Sequence, residues 1–191
     1  MKKSLGPGTT IYTHPVLIVG TYCADGKPNI MAASWGGICC SKPPCVAVSM
    51  RKATLSYGNI RATGAFTINI PSESQVIAAD YAGMASGRDA DKFKAAGLNP
   101  VRSELVNAPC VSEFPFTLEC RLIKEIEIGL HTQFIGEILD MKADEDVLGP
   151  EGQPMIEKVR PFVYASGGDG AYFGVGRRLG RAFSAGKELM K

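Results

Sequence analysis

The chain has 191 residues, 45% of them hydrophobic, and a formal net charge of +2. That length suits one domain with a sizeable core, read here as residues 1–191, and basic and acidic residues alternate too closely to offer nucleic acid an extended positive field. No apolar run approaches the roughly 18 residues needed to span a bilayer, and the opening MKKSLGPG lacks the apolar stretch of an export signal, so a cytoplasmic protein with no membrane partner is expected.

Residues 15–23 (PVLIVGTYC) are apolar and β-branched, and Asp25-Gly26 follows as a hairpin turn. The return strand is expected to run to Trp35 and to end at Gly36-Gly37. Pro43-Pro44 then gives an extended entry to a strand over 45–50. Thr54 caps a short helix to about residue 62, Gly64 stops it, and AFTINI at 65–70 alternates as a strand. The spacing of Ser72 and Gln75 is that of a capping box and predicts a helix to about residue 83. Asp89 is placed as the cap of a third helix around Lys92 and Phe93, ended by Gly97.

Further on, segments 116–128 and 131–141, rich in Ile, Leu, Phe and Thr, flank Gly129 as a long hairpin. A polar loop follows over 143–154. One more strand is expected at 161–166, glycine-rich turns at 167–176 and helical spacing at 179–190. Strands at short intervals, interrupted by helices but never alternating strictly with them, argue for a mainly β fold, an antiparallel barrel with peripheral helices.

Chemistry concentrates in 29–59, which carries the sole Trp, three of the six cysteines and a hydroxyl-and-cation cluster where an apolar run meets a helix. A planar aromatic ligand with an anionic tail uses both halves. Arg51, Thr54 and Ser56 can gather a guanidinium, hydroxyls and free backbone N–H groups around an anion, although Thr54 also reads as a plain cap and Arg51 as a surface charge. Trp35 suits a flat ring, or the core. His131 suits a phosphate or substrate, or an exposed hairpin. Lys92 is a further cation on a predicted helix.

Cys39, Cys40 and Cys45 match no Cys-x-x-Cys pattern and are read as reduced packing residues, with a thiol-sensing protein as the distant alternative. With His14 and His131 as the only histidines and no Cys-x2-Cys pair, no metal site is expected. The glycines of 174–180 imitate a dinucleotide fingerprint, but the third comes one place late and too little chain follows for a βαβ unit.

Taken in order, Asn29-Ile30-Met31-Ala32-Ala33-Ser34-Trp35, the Pro43-Pro44 strand into Ser49, the 51–59 segment, Ser86-Gly87-Arg88 through Asp91-Lys92-Phe93, and His131-x4-Gly136-x-Ile138 resemble the flavin reductase-like, FMN-binding split-barrel family. The closest look is to the flavoredoxins. The resemblance implies a Greek-key split β-barrel, tightly bound FMN and a homodimer with its sites near the subunit interface. By the same resemblance Asn29 and Trp35 lie beside the isoalloxazine, with Met31, Ala33 and Ser49 on that wall. Ser34, Arg51, Thr54 and Ser56 face the ring edge or phosphate, Lys92 neutralises the phosphate, and His131 and Tyr164 close the site. Members often read Gly-Asp-His where this chain has Gly129-Leu130-His131. The expected function is therefore an FMN redox protein carrying electrons between partners, with an electron-transfer protein as donor. The alternative is a flavin reductase drawing on NAD(P)H.

Overall fold

The structure, a computed structural model, describes residues 1–190, and position 191 lies outside the described residues. Strands β1 (His14–Pro15) and β2 (Leu17–Tyr22) open it, and the Asp25-Gly26 turn, with Gly26 at φ 81°, returns the chain as β3 (Pro28–Ala33). β4 (Gly36–Ser41) and β5 (Pro44–Arg51) form the next hairpin.

Helix α1 (Leu55–Thr63) starts at Thr54, whose hydroxyl accepts from Tyr57 N, and stops at Gly64 in the left-handed region. β6 (Ala65–Ile70) leads to a single 3-10 turn, where Ser72 N donates to Gln75 Oε1 at 2.7 Å, and then to α2 (Val76–Met84). α3 (Lys92–Ala96), the short pair β7 (Pro100–Arg102) and β8 (Pro109–Val111), and the long hairpin of β9 (Phe116–Ile128) and β10 (His131–Ala143) follow. α4 (Ile156–Val159), β11 (Phe162–Ala165) and β12 (Ala171–Gly174) complete the regular elements.

Among the described residues the main sheet has seven strands in the order β3-β2-β6-β9-β10-β5-β4, and β1 joins β11 and β12 in a separate three-stranded sheet. β3 and β4 are the two edges of the main sheet, yet only Ser34 and Trp35 separate them in sequence. The chain thus crosses from one edge to the other in a single step, curling the sheet into a barrel split at Trp35. This is the split barrel that the resemblance implies. No helix among the described residues is long and apolar enough to cross a membrane.

Alternation along β2 divides the interior. Leu17 and Val19 face a core with Val48, Phe66, Ile68 and Phe134, whereas Val16 and Ile18 face a second core with Ala79, Ala82, Phe93 and Phe162. The first fills the barrel and the second fastens α2, α3 and β11 to its outside. Asn69, fully buried between β2 and β9, donates to Ile18 O and Thr67 Oγ1 and accepts from Val111 N and Thr117 Oγ1, so its whole amide is satisfied.

Gly136 lies against the Phe66 ring; a Cβ there would stand 2.7 Å from Phe66 Cε1 and 3.0 Å from Cys120 Cβ. Gly136→Ala is expected to cost about 1–3 kcal/mol as overpacking, read as a lower urea midpoint with an unchanged slope. A midpoint within error of the parent protein would refute this account of the glycine.

Several expectations need correction. The strand placed to run to Trp35 ends at Ala33, and Gly36 begins a strand instead of ending one. A Cβ on Gly36 would stand 2.6 Å from Ala47 O and 2.9 Å from Leu17 Cδ1, so this glycine serves close strand approach. The cap of α3 is Asp91, which accepts from Lys94 N, and not Asp89. The 179–190 segment forms only a 3-10 turn at Ala185–Leu189, consistent with Gly180 and Gly186 interrupting its pattern and Leu179 and Leu189 lying exposed. β7, β8 and β12 were not anticipated. Of the cysteines read as packing, Cys45 is buried, but Cys39 and Cys40 are exposed on β4, an edge strand of the main sheet.

Candidate functional site

The twelve residues singled out from the sequence all line one cavity of about 510 Å3 beside the barrel split, within the size range of small-molecule sites. β3 supplies Asn29, Met31 and Ala33, and the crossing to β4 supplies Ser34 and Trp35. The end of β5 gives Ser49 and Arg51, and the start of α1 gives Thr54 and Ser56. Lys92 comes from α3, His131 from the first position of β10 and Tyr164 from β11.

One wall is aromatic and apolar. The Trp35 and His131 rings stand 4.6 Å apart at 45°, and His131 lies opposite Arg51 in the β10–β5 ladder. Ser49 N donates to Trp35 O at 2.8 Å, which ties the crossing segment to β5 and fixes the indole at the mouth. Met31, Ala33, Met50 and Leu55 continue this wall, and Tyr164 faces it from the second sheet.

The opposite end is polar. Asn29, itself buried, donates through Nδ2 to the buried Ser56 Oγ at 3.0 Å. That bond uses an acceptor site of the serine and leaves its O–H to donate elsewhere. The first N–H groups of α1 have no intrahelical acceptor, and Thr54 satisfies only that of Tyr57, so the helix start presents donors and partial positive charge to the cavity.

Lys92 is 4% exposed and donates to Ala82 O at 2.8 Å, which leaves two further N–H donors on its ammonium. Burial pulls its pKa down from 10.5 to about 8. A buried cation without a carboxylate partner is a costly arrangement that an anion relieves. Lys92 makes no such contact among the described ion pairs.

Sequence reasoning left the 85–88 loop outside the site, although it forms the fourth side. Gly87 packs so tightly on the Asn29 amide and Leu55 that a side chain there would collide with both. Arg88 donates from Nη1 to Ala53 O at 2.7 Å and holds the loop to the β5–α1 turn. Ser86-Gly87-Arg88 was visible as a motif, but its contribution is backbone proximity, which residue type alone does not reveal.

The arrangement can hold a flat aromatic body along the Trp35 wall and an anion between Lys92 and the α1 start. The family model described as the flavin reductase like domain matches residues 9–171. Flavoredoxin of Desulfovibrio vulgaris (Miyazaki F) is 55% identical and superposes with a TM-score of 0.93, over 97% of this chain and 100% of that one. Flavoredoxin from Methanosarcina acetivorans is 32% identical with a TM-score of 0.93 and full coverage of both chains, 100% and 100%. An uncharacterized protein of Archaeoglobus fulgidus is 34% identical over 128 residues, 67% of this chain and 72% of the relative.

Proposed function

The chain belongs to the flavin reductase like domain family, and from that premise we propose that it holds FMN non-covalently in the cavity and carries electrons between partners as a redox flavoprotein. The observation that carries this reading is the convergence of twelve residues from six separate segments on one cavity with an aromatic wall and a cationic end. The donor set fits the cofactor: a monoanionic-to-dianionic phosphate matches Lys92 and the α1 start, and a ring with a polar edge matches Trp35, Met31 and the Ser49 strand. The likeness to the two flavoredoxin structures supports the same reading.

Bound there, the isoalloxazine supplies the electron chemistry. The chain's own residues do the rest. Lys92 and Ser56 would anchor the anionic end, with Asn29 orienting Ser56, and Trp35 and Tyr164 would line the ring's part of the cavity. His131, its ring tilted at 45° to that of Trp35 and paired opposite Arg51 in the β10–β5 ladder, would close the aromatic side.

Leu130, 65% exposed beside His131, stands where the family resemblance leads one to expect an acid. That substitution favours a protein donor over direct oxidation of NAD(P)H. Anaerobic spectra with NADH, NADPH and a reduced ferredoxin decide between them. The carrier reading expects bleaching of the flavin band by the reduced carrier and none by either nicotinamide. Steady NAD(P)H consumption that depends on added free flavin would make the protein a flavin reductase instead.

The reading also carries a cytoplasmic setting and a homodimer. Exposed Ile128 and Leu130 flank the turn of the β9–β10 hairpin next to His131, an apolar rim that a second copy would cover. Light scattering behind size-exclusion chromatography is expected to give twice the 20.3 kDa chain mass, and the single-chain mass would rule the dimer out.

A further inference from the structure

The cysteines of the β4–β5 hairpin form an arrangement that the cavity does not use. β4 is an edge strand, and its ladder to β5 shifts register between Ile38 and Cys40. Ile38 pairs with Val46 and Cys40 with Cys45, so Cys39 is the extra, unpaired residue of a bulge. Cys40 and Cys45 therefore face each other directly across an antiparallel pair. Cα atoms of such partners lie about 4.5–5.5 Å apart, inside the roughly 4.4–6.8 Å span that a disulfide bridges. Both are free thiols here.

Their accessibility differs in a way that suits exchange. Cys40 is exposed, while Cys45 is 2% exposed and donates weakly to Pro43 O at 3.4 Å. Burial pushes the Cys45 thiol up, and Cys40 beside it pushes in the same direction. Two of the other thiols compete poorly: burial raises Cys110 to about 11 and Cys120 to about 12.

We propose that Cys40 and Cys45 are a convertible dithiol pair, closed to a cross-strand disulfide by exchange with a small-molecule disulfide. The Cys40 thiolate attacks one sulfur of the small disulfide, forming a mixed disulfide and expelling one small thiolate. Cys45, as thiolate, then attacks the Cys40 sulfur, forming the protein disulfide and expelling the second small thiolate. The two protons lost by the cysteines end on the two small thiols, so two protein thiols are oxidised and one small disulfide is reduced. Only Cys40 needs solvent access. The bridge encloses just residues 41–44, so it removes little freedom from the unfolded chain and reopens readily with excess small thiol.

The test treats native full-length protein with glutathione disulfide, traps free thiols by alkylation and reads masses of the intact chain and its tryptic peptides. Trypsin leaves the Lys27-Pro28 and Lys42-Pro43 bonds uncut, so both cysteines stay in one peptide, which also carries Cys23. In a C23S/C39S background, closure is expected as loss of two hydrogens from that peptide without a glutathione adduct on it, faster as pH rises because Cys45 must deprotonate. C23S/C39S/C40S should lose that closure, and C23S/C39S/C45S should retain glutathione on Cys40. A C23S/C39S protein that accumulates only the Cys40 adduct, or an intact C23S/C39S/C40S chain that still loses two hydrogens, would overturn the pair. Cys40→Ser alters an exposed side chain, so a folded protein is available for the decisive arm.

Discussion

Lys92→Met is expected to weaken FMN binding by about 1.5–3 kcal/mol, the range for a hydrogen bond to a charged group, or roughly ten- to hundred-fold in Kd. Methionine keeps most of the stem volume, so the ammonium is the main thing removed from a residue that is 4% exposed. Fluorescence titration of the apoprotein with FMN measures the change, and an unaltered Kd would reject Lys92 as the phosphate partner. The pH dependence follows from the same burial. Lys92 is lowered from 10.5 to about 8 in the ligand-free protein. A phosphate stabilises its charged form, so affinity is greatest below about pH 8 and declines above it, a slope that Lys92→Met should flatten. Without ligand the sign for stability is opposite. Between about 8 and 10.5 the unfolded chain binds a proton that the folded protein has released, so Lys92 makes the folded state relatively more stable as pH rises through that window.

Phe66→Ala carries the largest expected stability loss, about 3–5 kcal/mol. Phe66 is fully buried on β6, at the centre of the barrel core with Ile68, Leu118 and Phe134, and its ring occupies the space that Gly136 leaves open. Urea unfolding followed by far-UV circular dichroism gives the value, and a loss under about 1 kcal/mol would contradict the packing described. The cavity lies at one end of this core, where Ala33 and Met50 border both, and Phe66 is not among the residues that line it. Protein that remains folded at low temperature should therefore still bind FMN with nearly the parent affinity, separating the scaffold's contribution from the site's.

The parts of the site legible in the sequence are those where chemistry breaks an apolar pattern. Arg51, Thr54 and Ser56 interrupt hydrophobic strand and helix patterns with cations and hydroxyls, and Trp35 stands alone as the chain's one indole. Local spacing also located the Asp25-Gly26 turn, the cap at Thr54 and the Ser72–Gln75 box, because each is decided within four residues. What escaped depends on partners distant in sequence. Gly36 reads as a strand end until Ala47 O and Leu17 are seen to fill the space over it, and Gly87 reads as a loop residue until the Asn29 amide does so. The exposure of Cys39 and Cys40 follows from β4 being an edge, a property of strand order and not of the residues. Joining Lys92 and Tyr164 to the 29–59 segment likewise required the family resemblance, since neither position is distinctive alone.

The most direct test of the account is retention of FMN. Protein purified without added flavin, incubated with excess FMN and desalted is expected to keep close to one flavin per chain, with flavin absorbance, quenched FMN fluorescence and quenched emission from Trp35. Desalted protein that shows neither flavin absorbance nor any change in Trp35 emission would contradict it.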